Sequence, residues 1–396
     1  MTLPELDLSA VRFRTSDEVL PELRAACEAN PDLAAFEVIG ESEQGRPIAG
    51  VRLGIGPRLA TLVAGAHADE PVGPETLRTL VIEGLAARGW GAEGGGLDEL
   101  LQRWTLRVVP HVNPDGEARN RSWIDAWPDP PGDHGAGGEP FSESLDLRRL
   151  RSYLVGRRRE PPGRDVEFGY AGAIDGEAFG PLRAENAAAE TFLFSDGAPR
   201  LHASLHGIGY AEGALLLIER DWLADPATAA LRDGYARAAR EIGLGLHDHD
   251  RHGDKGFVYG GPGFWSTPRG AAMRRHFLDA DDPDTAALFR LSSMERAARA
   301  AAERGADPPL SIVTELPLFV VSGSAGPEPG VATNLARFNA LKSELLGAAA
   351  EGLPLVPVLD AAGVRVGTVG LRDAVRVHLR TLELALDAAE AERPGA

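Results

Sequence analysis

Reactive side chains stand where apolar segments of this sequence end. The four most informative are His67, Glu70, His206 and Glu315. Apolar segments of this kind are typical of buried strands, and in open α/β sheets functional sites form at the carboxyl ends of strands. His67 and Glu70 are three residues apart, which puts both side chains on one side of a tight turn or of a first helical turn. We therefore expect the four residues to meet at one site.

Three of these residues match the ligand set of an open catalytic zinc site. Two imidazoles and one carboxylate, from His67, His206 and Glu70, leave a coordination position for water. Glu315 is then a nearby carboxylate that takes a proton from this water and later delivers it to the leaving amine. The competing interpretations are local: Glu70 stabilises a helix N-terminus, and His206 is a hydrogen-bonded core histidine. A carboxylate ending a buried strand is costly unless it is paired or faces a cleft, which favours the metal site.

The segments that position these residues alternate between apolar runs and helical patterns. Apolar runs bounded by turn residues predict strands at residues 36–39, 49–53, 59–65, 104–110, 201–205, 214–219 and 310–314. Helical patterns cover residues 16–29, 75–88, 187–193, 222–244, 332–352 and 371–392. Buried strands that alternate with helices indicate an α/β sheet covered on both faces.

Composition narrows the class of partner and the compartment. The 396 residues include 41 Lys and Arg against 59 Asp and Glu, a net charge of −18, which argues against nucleic-acid and anionic-membrane partners. The single cysteine, Cys27, excludes an intramolecular disulfide and a cysteine metal cluster. The sequence contains no run of about 18 apolar residues and opens without a basic, then apolar, leader. We therefore expect a cytoplasmic protein with no nucleic-acid and no membrane partner.

Five motifs in a fixed order carry a resemblance to a known family. They lie at residues 39–48 (IGESEQGRPI), 66–71 (AHADEP), 112–116 (VNPDG), 204–207 (SLHG) and 314–316 (TEL). In this order they resemble the zinc metallocarboxypeptidases, whose type members are the pancreatic carboxypeptidases, and the chain looks like a divergent, bacterial-type member. The resemblance implies a single α/β domain with a mixed, mostly parallel sheet flanked by helices on both faces.

The resemblance also implies boundaries and a mechanism. The catalytic domain would cover residues 13–320, with a Pro/Gly-rich surface insertion at about 124–165, and residues 321–396 would form a helical appendix packed on it. One Zn²⁺ would be held by His67, Glu70 and His206. Glu315 would act as base and then acid on a peptide or amide substrate. In the family an arginine after the Asn-Pro-Asp-Gly element stabilises the oxyanion, and both Arg119 and Arg121 are candidates, with Arg121 preferred.

The chain departs from the family in the residues that would bind substrate. Family members hold the substrate carboxylate with an Asn-Arg pair, usually within Asp-x-Asn-Arg, which this sequence lacks. If residues 165–168 replace it, Glu167 and Phe168 stand at the clamp, which would disfavour a free carboxylate and favour an amine or amide. If residues 146–149 replace it, Arg148 or Arg149 restores a cation. We also assign Asn120 to substrate binding, and Tyr259, with Tyr210 as second choice, to the tyrosine that covers the substrate.

Three functions remain open from the sequence. The first is a zinc-dependent hydrolase of the metallocarboxypeptidase family. The second is an N-acyl amino acid amidohydrolase of the same superfamily, and the third is a catalytically silent zinc-binding scaffold. The retained Glu315 argues against the scaffold, because a scaffold needs no base. A separate cluster at residues 247–252 (HDHDRH) has the composition of a second metal site, but we interpret it as a polar loop.

Overall fold

The computed structural model describes residues 2–88, 97–127, 144–177, 181–249, 254–323 and 333–391. Within them the strands are β1 (Ala34–Glu41), β2 (Pro47–Leu53), β3 (Arg58–Ala64), β4 (Trp104–Val109), β5 (Pro199–Ala211), β6 (Leu215–Ile218), β7 (Phe264–Ser266), β8 (Leu310–Gly323) and β9 (Val364–Thr368). All the predicted strands are present. β5 and β8 extend well beyond the predicted ends, and the three-residue β7 was not predicted.

The helices of the described residues fill the intervals between the strands. They are α1 (Ser16–Glu28), α2 (Val72–Ala86), α3 (Leu97–Arg103), α4 (Pro114–Ile124), α5 (Leu145–Gly156), α6 (Ala184–Phe194), α7 (Arg220–Leu223), α8 (Ala229–Glu241), α9 (Gly270–Asp279), α10 (Pro283–Ala286), α11 (Ser293–Ala302), α12 (Asn334–Ala350), α13 (Val356–Ala361) and α14 (Leu371–Glu390). No helix in this part of the chain has the length and apolar character needed to cross a bilayer.

The strands form one mixed sheet in the order β1-β2-β4-β3-β5-β8-β6-β7, with β9 paired to β8. Its centre is parallel: β4, β3, β5 and β8 all run in one direction. The flanking pairs β1–β2, β2–β4, β6–β8 and β8–β9 are antiparallel. Because the central strands are parallel, their carboxyl ends meet at one edge of the sheet, as expected for a functional site.

Helices cover the sheet on two faces, in agreement with the predicted fold class. Alternate residues of β3 and β5, such as Leu62 and Ala203, belong to a core that includes α1, α2 and α14. The intervening residue Val63 belongs to a second core with α6 and α11. Strands that are buried on both faces consist of nearly continuous apolar residues. The sequence of β3, RLATLVA, has this character because both of its faces are covered.

Two predicted boundaries need revision. The segment 124–165 is not a surface insertion throughout, because α5 buries Leu150 and Tyr153 in the main core; residues 128–143 of that segment lie outside the described residues. The segment 321–396 is more than an appendix. β9 joins the sheet, and α14 buries one face against the core formed with α2 and α8.

Candidate active site

The turn between β3 and α2 delivers the first two candidate ligands. Gly65 ends the strand with φ +76°, a conformation that favours glycine. Gly73, in the first turn of α2, lies so close to β5 that a Cβ atom would stand 2.1 Å from the carbonyl oxygen of Leu205. The start of α2 therefore packs directly on the middle of β5, and this contact brings His67 and Glu70 beside His206.

The three predicted ligands form a compact buried cluster. Their ligand atoms all lie within 4.8 Å of one another. His206 Nδ1 is 3.2 Å from Glu70 Oε2, and the rings of His67 and His206 are 5.0 Å apart between centroids. The structure thus brings together residues that are up to 139 positions apart in sequence.

Each imidazole of the cluster uses its Nε2 for a hydrogen bond to a residue outside the three candidate ligands. His67 Nε2 lies 3.0 Å from Glu167 Oε2, and His206 Nε2 lies 2.7 Å from Ser204 Oγ. Nδ1 of His67 is buried and has no hydrogen-bond partner in the described residues. Metal-binding histidines characteristically use their second nitrogen in this way, because the outer bond fixes the tautomer and orients the ring. The donor set and the orphaned nitrogen fit Zn²⁺.

The charged groups of the cluster shift one another's pKa values. Burial alone would lower the pKa of His67, but the Glu70 and Glu167 carboxylates outweigh it and raise this pKa to about 10. Burial opposes ionisation of Glu70, yet His67 and His206 lower its pKa to about 2. Glu70 is therefore held as an anion, which is the form that binds a metal ion.

Glu315 lies next to this cluster because of sheet register. Residues 206 and 315 are direct partners on the parallel strands β5 and β8. Glu315 is half-buried, and the pKa of its carboxyl is raised to about 8, first by burial and then by the charge of Glu70. A carboxyl with such a pKa can both accept and release a proton near neutral pH.

A basic segment that the sequence analysis did not assign to the site reaches the cluster. Arg159 NH2 is 3.7 Å from Glu70 Oε1, and Arg159 Nε is 4.0 Å from Asp69 Oδ1. Arg157 Nε donates to Asp69 Oδ2 at 2.5 Å, and Tyr153 donates to the same oxygen at 3.1 Å. The available signal was the run of three arginines at residues 157–159, directly after a helical pattern.

Comparison with known proteins bears on this cluster. The family model for zinc carboxypeptidases matches residues 20–139, a region that contains His67 and Glu70. Carboxypeptidase B of Astacus astacus is 26% identical over 178 residues, which cover 36% of this chain and 56% of that protein. Over these regions the chain resembles the zinc carboxypeptidases.

Two further relatives show how far the likeness extends. The inactive metallocarboxypeptidase ECM14 of Ajellomyces capsulatus is 30% identical over 123 residues, 28% of this chain and 20% of that protein. Bovine thrombin-activatable fibrinolysis inhibitor, solved with a tick carboxypeptidase inhibitor, is 13% identical with a TM-score of 0.43, covering 96% of this chain and 97% of that chain. The matched regions thus span about half or less of the curated relatives.

Several substrate-binding predictions are not supported by the side-chain positions. The preferred oxyanion candidate, Arg121, pairs with Asp125, four residues further along the chain. Arg119 pairs with Glu160 at 2.7 Å. Asn120 is fully buried and holds the backbone of Arg158, so its role in the structure is to anchor that segment.

Arg149 and Phe168 are also engaged elsewhere. Arg149 donates to Thr368 Oγ1 at 2.9 Å and lies over Trp127, because α5 packs against β9 rather than over the metal cluster. Phe168 packs on Phe289 with 5.4 Å between ring centroids. Glu167 is at the site, but as a hydrogen-bond acceptor for His67 and not as a free clamp.

The predicted covering tyrosine lies on a separate loop. Tyr259 hydrogen-bonds to Asp248 and packs edge-on against Trp265, with 5.6 Å between ring centroids. His247 is buried against the same tryptophan. Residues 250–252 of the polar cluster lie outside the described residues. The interpretation of residues 247–252 as a polar loop and not a second metal site therefore stays a prediction.

Proposed function

We propose that the chain is a zinc-dependent hydrolase that cleaves a peptide or amide bond. The observation that carries this proposal is the position of Glu315 beside His206, on neighbouring strands in direct register. A metal-binding scaffold has no use for a half-buried carboxylate whose pKa is raised to about 8. A hydrolase needs a group of this kind at this place.

The residues divide the chemical work between them. When bound, zinc acidifies a water molecule and polarises the scissile carbonyl. Glu315 accepts the proton of the attacking water and returns it to the leaving nitrogen. Arg159, close to Glu70 and exposed along part of its side chain, supplies positive charge for the carbonyl oxygen as its negative charge develops. Glu167 and Ser204 hold the two imidazoles in their binding orientation.

One observation favours a second candidate, the silent scaffold. A relative of this chain is named an inactive metallocarboxypeptidase. The two candidates differ in a single respect, because both retain the metal ligands and only the hydrolase uses Glu315.

The test combines zinc content with a turnover screen. Zinc-loaded protein is incubated with free-ended peptides, C-terminally amidated peptides and N-acyl amino acids, and products are followed by mass spectrometry. Glu315→Gln should retain one zinc per chain and lose turnover by about 10²- to 10⁴-fold. Glu303→Gln, a surface carboxylate paired with arginines of α11, is the matched control and should keep full activity. Unchanged turnover in Glu315→Gln would refute the assigned role, and cleavage of N-acyl amino acids alone would identify the deacylase alternative.

A further inference from the structure

A surface groove lies beyond the end of β6, away from the metal cluster. It has a volume of about 510 Å³ and is lined by residues just after β6 and β7, by the loop at Lys255 and by α9. Strand β6 runs antiparallel to β8, with Leu215 opposite Glu315 and Ile218 opposite Ile312. The strand therefore leads away from Glu315, and the groove lies past its last residue. None of the residues that line the groove belongs to the metal cluster.

The groove carries an excess of positive charge. Four basic side chains line it against a single carboxylate; they are Arg220, Lys255, Arg269 and Arg275, against Asp279. The whole chain, in contrast, has a net charge of −18. Two other surface clefts, of about 680 and 410 Å³, have balanced charges: the first has three arginines with three carboxylates, and the second has one arginine with one aspartate. The excess is therefore a property of this groove and not of the clefts of this surface in general.

The protein itself uses these cations only in part. Arg269 forms an ion pair with Glu219 at 3.0 Å, and Arg220 donates to a backbone carbonyl of the loop that carries Lys255, at 3.1 Å. Within the part of the chain that the structure describes, Lys255 and Arg275 form no ion pair with a carboxylate. Arg220 and Arg275 are exposed, so their donors are accessible to a ligand. Clustered like charges are unfavourable, and an anion that joins them relieves the repulsion.

We propose that this groove binds a small diphosphate-bearing anion through Arg220, Lys255 and Arg275. A guanidinium group pairs with phosphate oxygens through two parallel hydrogen bonds, and an ammonium group adds a compact charge. The net charge of −18 repels an extended polyanion such as a nucleic acid, which must also contact the surrounding acidic surface, whereas a small anion contacts only the groove. The proposal goes beyond the proposed hydrolase function and does not depend on it, because the groove shares no residue with the metal cluster.

Calorimetry with four anions on the zinc-loaded full chain tests the ligand class. The probes are inorganic phosphate, inorganic pyrophosphate, ADP and citrate at constant ionic strength, and the zinc content is measured after each titration because these anions also bind zinc. Pyrophosphate and ADP should bind about tenfold more tightly than inorganic phosphate, since a second phosphate group adds charge-assisted hydrogen bonds. Tighter binding of ADP than of pyrophosphate would support an organic diphosphate as the ligand, and the opposite order or equal affinity would support the free diphosphate. Citrate binding as tight as that of pyrophosphate would overturn the assignment to phosphate.

Substitutions locate the binding and separate a specific contact from a change in net charge. Lys255→Met and Arg275→Gln should each weaken pyrophosphate binding about tenfold, because each removes a charge-assisted contact, whereas Lys255→Arg should keep most of the affinity. The matched control is Arg237→Gln, which removes one exposed positive charge from the larger, charge-balanced cleft and should bind pyrophosphate as the wild type does. The zinc content should be the same in all four variants. No measurable binding of pyrophosphate and ADP, an equal loss in Arg237→Gln, or unchanged affinity in both Lys255→Met and Arg275→Gln would overturn the proposal.

Discussion

Acid should destabilise this protein through a histidine that the fold keeps neutral. His202 is fully buried on β5, between Thr61 Oγ1 at 2.8 Å and Ser293 Oγ at 2.9 Å. Burial lowers its pKa to about 3. The pKa of a histidine in an unfolded chain is about 6.5. Between that value and the folded pKa, His202 is therefore protonated in the unfolded state and neutral in the folded state. The free energy of unfolding must therefore fall as the pH drops below about 6.5, until the folded pKa is reached.

The size of the effect follows from these two pKa values. Between pH 7 and about pH 4.5, His202 alone should cost about 2.5 kcal/mol of stability. The His202→Gln variant has no imidazole to protonate at this position and therefore lacks this loss. It should be less stable than the wild type at pH 7, and the difference in the free energy of unfolding should change in its favour by about 2.5 kcal/mol at pH 4.5. Chemical denaturation with a chelator present measures both proteins without a contribution from zinc release.

A control and a direct titration make this prediction strict. His249 is exposed, and His249→Gln should leave the difference between the two pH values unchanged. In the wild type, the NMR signals of the His202 imidazole should not titrate above about pH 4. A His202→Gln variant whose stability falls as steeply as that of the wild type, or an imidazole that titrates near pH 6, would refute the reasoning.

Two other predictions concern the metal cluster. Glu167→Gln removes the charged acceptor of His67 Nε2 and should weaken zinc affinity by about 10- to 100-fold in a competitive chelator titration; unchanged affinity would contradict the assigned orienting role. Gly73→Ala forces a Cβ against the Leu205 carbonyl and should lower the free energy of unfolding by about 1–3 kcal/mol. Its control is Gly347→Ala, at an exposed helical site with no atom within 4 Å, which should raise stability slightly; equal effects of the two substitutions would argue against the close contact.

The sequence was sufficient to predict the parts of the site that depend on local pattern. The short motif around His67 and Glu70 places two candidate ligands within one turn, and strongly apolar runs locate β3, β5 and β8. The sheet then determines that His206 and Glu315 are neighbours. Each of these inferences depends on periodicity or on a spacing of a few residues.

The substrate side could not be predicted in the same way. Arg159 reaches Glu70 because Asn120 fixes the backbone of Arg158 after α5, a long-range contact with no local signal. Likewise, the irregular segment around Glu167 has no period that says which way a side chain faces. The family resemblance predicts Glu167 at a carboxylate clamp, whereas its contact with His67 depends on how that segment runs past the strands.

The register of β5 and β8 limits where this chain can gain or lose residues. Because His206 and Glu315 are partners on adjacent strands, the separation of their Cα atoms is set by the spacing of strands in a sheet, about 4.8 Å. Side chains alternate between the faces of a strand, so loss of one residue between Leu310 and Glu315 would turn the Glu315 carboxylate to the opposite face while leaving His67, Glu70 and His206 in place. Insertions and deletions can therefore accumulate in the connections of this fold, whereas the number of residues in the first half of β8 must stay constant.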